Sequence, residues 1–108
     1  MGNNMVSIIM PMYNAEKFIA DSIESVIRQT YTDWELIIIN DCSNDKSLDI
    51  VERYIQQDKR IKLSSLKKNS GVAQARNKGI DSSCGRYISF LDSDDIWLED
   101  KLEKQITF

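Results

Sequence analysis

Two kinds of hydrophobic pattern alternate along the 108-residue chain. "VSIIMPMYN" opens with an apolar run from Val6 to Met10, which suits a strand buried on both faces. Pro11, the only proline, is expected to end it, because proline cannot donate a ladder hydrogen bond. Asn14 is a candidate helix cap, and Phe18, Ile19, Ile23, Val26 and Ile27 then recur at helical spacing as one stripe. "WELIIIND" predicts a second buried strand over 35–40. "CSNDKS" supplies turn and cap residues, and Leu48, Ile50, Val51, Tyr54 and Ile55 mark a second amphipathic helix. "RIKLSSL" alternates and predicts a short third strand, followed by a "KKNSG" turn. "VAQARNKGI" predicts a third helix, with Val72, Ala75 and Ile80 roughly on one side and Ala73, Ala75 and Gly79 permitting close packing. "SCG" stops it, and "RYISFL" predicts the fourth strand. "IWLEDKLEKQITF" reads as the start of a further helix, with Trp97, Leu98, Leu102 and Ile106 on or near one face.

Strand–helix alternation predicts right-handed βαβ crossovers, hence an α/β fold with a mostly parallel sheet in three layers. An antiparallel sheet would need hairpin turns, and the sequence offers none. Ligands of open α/β sheets bind at the carboxyl ends of the strands. There the chain places "PMYNAE", "NDCSND", "KKNSG" and "DSDD", so four polar loops are expected to meet at one rim.

Composition narrows the chemistry. The chain is long enough for one domain with a small core, and 42% hydrophobic and 29% charged residues are ordinary for a soluble protein. A net charge of −3 gives no basic field for nucleic acid. No apolar run approaches the ~20 residues of a membrane span, and the start of the chain lacks signal-peptide features, so a cytoplasmic location is expected. Cys42 and Cys84 are too far apart for a CxxC pair and read as reduced, inert thiols. There is no histidine, so acid–base or metal chemistry falls to carboxylates.

Those carboxylates concentrate in "FLDSDDIW", where Asp92, Asp94 and Asp95 follow an apolar run directly. Neither the GxGxxG nor the GxxxxGK[ST] phosphate-binding pattern occurs. Carboxylates cannot hold phosphate themselves, but they can do so through a hard cation such as Mn²⁺ or Mg²⁺. Asp92 and Asp94, two positions apart, would point the same way if the strand persisted through them.

"VSIIMPMYN", "ELIIINDCSND", "NSGVAQARNKGI" and "GRYISFLDSDD" together resemble the nucleotide-binding half of family 2 inverting glycosyltransferases. The resemblance covers nearly the whole chain and implies the Rossmann-like GT-A fold, over a single nucleotide-sugar-binding domain, 1–108, cut from a longer enzyme. It implies that Pro11, Tyr13 and Asn14 line the nucleotide pocket with Glu16 just beyond, and that Asp41 contacts uracil. It places Asn69, Gly71 and Arg76 beside the base and diphosphate. Asp92-Ser93-Asp94 matches the DxD element, whose first positions approach the ribose and whose last aspartate ligates the metal. Asp94, with Asp92, is thus the metal candidate; Asp95 is a candidate cap for the next helix. The implied reaction moves a sugar from a nucleoside-diphosphate donor, UDP favoured through Asp41, to an acceptor hydroxyl with inversion.

The same residues have plainer roles. Asp41, Asn44 and Asp45 could form a cap and turn, Arg76 a surface ion pair, Tyr13 a packing contact, Glu16 a favourable first-turn acid. A binding module without catalysis is a second reading of the whole chain. A phospho-receiver domain is a third, disfavoured because Pro-Met-Tyr-Asn follows the first strand where an acidic pair is needed. No residue is assigned as the catalytic base; the family resemblance places it beyond residue 108, in the half that binds a glycan or lipid-linked acceptor. The fragment alone is therefore expected to be inactive and to self-associate through its C-terminal segment or last strand. The full-length protein could work at the inner face of a membrane.

Overall fold

A computed structural model describes residues 4–106. Strands β1 (Val6–Met12), β2 (Trp34–Asn40), β3 (Ile61–Ser65) and β4 (Tyr87–Phe90) alternate with helices α1 (Ile19–Ile27), α2 (Ser47–Gln57), α3 (Val72–Ser82) and α4 (Lys101–Ile106). The strands form one sheet in the order β3-β2-β1-β4, every pairing parallel. β1 and β2 are central and buried at every position, as their apolar runs require.

The sheet's two faces are covered separately, giving three layers. Ile8, Met10, Leu36 and Ile38 face Ile19, Ile23 and Val26 of α1, Val51 of α2 and Leu102 of α4. Ile9, Ile37 and Ile39 face Ala75 of α3. Successive strand residues point to opposite faces, so one run of isoleucines serves both cores.

Pro11 does not end its strand: β1 continues to Met12, with Pro11 paired to Ile39. The Met12 carbonyl accepts from Asp41 N–H on the β2 side at 2.8 Å. Alternation therefore turns the Pro11 nitrogen toward β4, whose pairing with β1 has already ended at Ile9–Phe90. No ladder donor is lost.

α3 meets the sheet through its smallest residues, Ala75 and Gly79, while Val72 and Ile80 stay exposed, contrary to the expected stripe. A Cβ on Gly79 would lie 2.4 Å from Ile9 Cγ2, in a fully buried side chain. Gly79→Ala gains about 1 kcal/mol of helix propensity. Over-packing costs about 1–3 kcal/mol, and at this separation it wins. Urea denaturation is expected to show a net loss of stability, and an unchanged midpoint would contradict this packing.

At the amino edge of the sheet, Glu35 is buried and accepts from the Ser7 hydroxyl, from Lys62 Nζ at 2.6 Å and from the Cys84 N–H at 2.7 Å. Burial pushes the Glu35 carboxyl up, but these bonds outweigh it and hold it below the ordinary carboxylate range. Arg60 does the same for Asp58, against a smaller desolvation. Both contributions are complete above the unfolded carboxylate pKa and are lost as pH falls through the lower folded values. Lys62 is raised by Glu35, so its share is lost only as pH climbs past its ordinary 10.5. Stability is expected to fall below pH about 4, and more shallowly in Glu35→Gln. Urea titrations at stepped pH check this; an identical acid slope in the variant would exclude Glu35 as a cause.

The C-terminal segment also departs from expectation. Helix begins only at Lys101, so Asp95 caps nothing. Trp97 and Leu102 enter the α1-side core, whereas Leu98 is 77% exposed. The segment's partner is α1 itself. Ile88 and Phe90 of the edge strand β4 remain partly exposed. No helix among the described residues is long and apolar enough to cross a membrane.

Candidate functional site

The chain winds from β1 through β2 to β3 in one direction, then returns to lay β4 on the other side of β1. Such a reversal opens a crevice at the carboxyl ends of the two strands where it occurs. A cleft of about 420 Å³ lies there, between the rims of β1 and β4. Pro11, Tyr13, Asn14, Asp41, Arg76, Asp92, Ser93 and Asp94 line it, all of them candidates from the sequence. Met12, Ala15, Phe18, Val72 and Ala75 complete the wall and were not candidates. Phe18 and Val72 carry a signal only in hindsight: each opens a helical stripe yet stays about half exposed, at 52% and 53%.

The β1 rim is tied to the β2 rim. Asn14 is not a helix cap; α1 starts at Ile19. It sits at φ 48°, where asparagine is tolerated, and its Oδ1 accepts from the Asn44 N–H at 2.8 Å. Its own N–H donates to Ser43 Oγ at 3.0 Å. Ser47 Oγ accepts from the Ala15 N–H at 2.8 Å, and Asp45 from the Glu16 N–H at 3.2 Å. Glu16 does not line the cleft. Burial raises the Asp45 carboxyl, and hydrogen bonds from the Ser47 hydroxyl and the Ser47 and Glu16 N–H groups bring it below its ordinary value.

Asp41 is the buried acid of the site, 5% exposed. Its Oδ1 accepts from the Ser70 N–H at 2.7 Å and its Oδ2 from the Gly71 N–H at 2.9 Å. Gly71 stands at φ 92°, a region that favours glycine, immediately before α3. Asn69 Nδ2 donates to the Asp41 carbonyl at 3.3 Å. Asn69 and Gly71 are therefore outside the lining and act on it through Asp41. Cys42 follows at φ 61°, turning the chain away from the sheet. A carboxylate has about four acceptor positions, so both Asp41 oxygens can still accept from a ligand.

The acidic residues do not extend β4, which stops at Phe90. They form a turn, closed by the Asp95 N–H donating to the Asp92 carbonyl at 3.0 Å. Asp92 and Asp94 nevertheless both reach the cleft, while Asp95 does not. Arg76 Nη2 stands 3.5 Å from Asp92 Oδ1, and Arg76 Nε is buried without a hydrogen-bond partner. Asp94 has no ion pair among the described residues, so the site offers one unpaired and one partly neutralised carboxylate beside a guanidinium. No group of three metal-ligating side chains occurs among the described residues. That donor set fits Mg²⁺ or Mn²⁺, which take one or two carboxylates and fill the remaining positions with water and substrate phosphate.

Residues 7–108 match the family described as glycosyl transferase family 2. The chain belongs to that family. Among curated family relatives, WfgD of Escherichia coli, a UDP-Glc:alpha-D-GlcNAc-diphosphoundecaprenol beta-1,3-glucosyltransferase, is 49% identical over 107 residues. The match takes in 99% of this chain and 42% of WfgD, so the chain spans less than half the length of that glycosyltransferase. Among solved structures, residues 1–349 of S. aureus TarS in complex with UDP superpose with a TM-score of 0.87 at 34% identity, over 94% of this chain and 30% of that one. TarS is also solved with UDP-GlcNAc. The mannosyltransferase PcManGT of Pyrobaculum calidifontis, in complex with GDP-Man and Mn²⁺, shares the fold at a TM-score of 0.80 and 21% identity, over 90% of this chain and 29% of that one. The four-stranded parallel sheet is thus the GT-A nucleotide-binding architecture.

Proposed function

We propose that this chain binds the nucleotide of a UDP-sugar, and that the glycosyltransferase containing it transfers the sugar to an acceptor hydroxyl with inversion. One observation carries the reading: Asp41 and the Asp92, Asp94 and Arg76 group line a single cleft at the reversal point of the sheet. The TarS complexes and the donor in the name of WfgD support uridine. The name of WfgD also supports a lipid-linked diphosphate acceptor, and work at the inner face of a membrane is part of the same proposal.

Each residue's part follows from its setting. Asp41 accepts from a ring N–H of the base with the lone pairs that Ser70 and Gly71 leave unused. Phe18 and Val72 give the base an apolar wall. Arg76 meets the diphosphate with fixed positive charge. Asp94 and Asp92 would hold Mn²⁺ or Mg²⁺, which as a Lewis acid offsets charge developing on the departing diphosphate. None of the 108 residues is assigned as the general base. Calorimetric titration of the chain with UDP, in Mn²⁺ and in EDTA, tests the site. Micromolar-range binding strengthened by Mn²⁺ is the expected result; no binding under either condition would overturn the reading.

A further inference from the structure

Helix α1 buries Ser22 and Ser25 beside its apolar stripe, exposed by 0 and 1%, and Gln29, two residues past its end, is 3% exposed. Alanine at either serine would favour the helix. All three side chains instead reach the loop joining β4 to α4. The Ser22 hydroxyl lies 2.8 Å from the Ser93 carbonyl and 2.6 Å from the Asp95 carbonyl, so one proton is shared between the two. Ser25 Oγ accepts from the Trp97 N–H at 3.2 Å. Gln29 Nε2 donates to the Leu98 carbonyl at 2.6 Å, and Gln29 Oε1 accepts from the Leu102 N–H at 3.0 Å. The loop has no strand or helix ladder of its own, and buried backbone groups need partners. α1 supplies them.

We infer that Ser22 is a positioning residue for the acidic turn. It holds the carbonyls on either side of Asp94, one residue before and one after. That fixes the Ser93–Asp94 and Asp95–Ile96 peptide planes, while the Asp95 N–H bond to the Asp92 carbonyl holds the Asp94–Asp95 plane between them, and together these set the direction of the Asp94 carboxylate. Ser25 and Gln29 anchor the chain that follows, so the turn cannot drift toward solvent. The inference rests on the reading that Asp92 and Asp94 hold a divalent cation. Groups that orient a metal ligand typically matter by about 10–100-fold in metal affinity.

The experiment compares UDP affinity in Mn²⁺ and in EDTA for the 108-residue chain and two variants, at a temperature where circular dichroism shows each folded. Ser22→Ala is expected to lose about ten-fold of the Mn²⁺-dependent affinity, with affinity in EDTA unchanged. Tyr54→Phe is the control. It removes a 2.8 Å bond to Glu24 on the same helix and should lower stability without touching the Mn²⁺ dependence. If Ser22→Ala does not fold, Ser25→Ala replaces it, with a loss in the same direction expected. An unchanged Mn²⁺ dependence in the serine variant, with dependence present in the parent chain, overturns this inference alone. A parent chain that binds UDP equally in Mn²⁺ and EDTA overturns the metal reading and this inference with it. Equal losses in Tyr54→Phe and Ser22→Ala overturn it as well, since general loosening would then account for both.

Discussion

Asp94→Asn is expected to abolish most of the gain in UDP affinity that Mn²⁺ brings, a loss of ten-fold or more. Removing a group that merely orients a metal ligand costs about 10–100-fold in affinity. Removing the charge of the ligand itself should not cost less. The substitution keeps the side chain's shape and leaves the turn's own bond, from Asp95 N–H to the Asp92 carbonyl, intact. Asp94 makes no ion pair among the described residues, so no neighbour is stranded and stability should hardly change. Asp92→Asn should be milder, because Arg76 already offsets part of the Asp92 charge at 3.5 Å. Calorimetry in Mn²⁺ and in EDTA reads the difference. Equal Mn²⁺ enhancement in parent and Asp94→Asn would remove Asp94 from the metal site.

Asp41→Ala is expected to act twice. It leaves the Ser70 and Gly71 N–H groups without their acceptor. Both bonds are only part-buried, so water can replace some of what is lost, and a net hydrogen bond is worth about 0.5–1.5 kcal/mol; a loss of about 1–3 kcal/mol of stability follows for the pair. The same change removes the acceptor proposed to read the base, so uridine and UDP should weaken together, in Mn²⁺ and in EDTA alike. Denaturant titration gives the first number and calorimetry on the folded variant the second. A loss confined to UDP would mean that Asp41 does not read the base. A variant as stable as the parent would mean that the Ser70–Gly71 turn stands without it. This pattern differs from that of Asp94→Asn, which spares both stability and metal-free binding.

The distribution of these effects tracks how the site was built. The rim residues that reach the cleft were named from local pattern and family resemblance, because each sits one to five residues beyond the end of an apolar run. Asp41, Asp92 and Asp94 are of this kind; Arg76 lies inside α3 and is legible only through the family resemblance. Glu16, Asn69 and Gly71 share that placement but not the lining, since a loop's direction depends on what ties it down. For Glu16 the tie is Asp45; for Asn69 and Gly71 it is Asp41. Ser22, Ser25 and Gln29 gave no sign at all. A serine on an amphipathic helix, or a glutamine just past its end, reads as a solvent-side residue until its neighbour, 69 to 73 positions away, is known.

The sequence by itself determined the element order, the parallel three-layer class and the family, because hydrophobic period and motif spacing are local properties of the chain. Only the tertiary structure decided the rest. Strand order set β4 beside β1 and so put the acidic turn across from Asp41. The same placement let β1 run on through Pro11, since that nitrogen faces the end of β4 and not a ladder partner. Packing chose Ala75 and Gly79 over Val72 and Ile80 for the α3 contact, freeing Val72 to wall the cleft. Each of these depends on which groups are brought close from distant parts of the chain. A period of two or of 3.6 residues records which face of an element is buried, and holds no information about what will be packed against it.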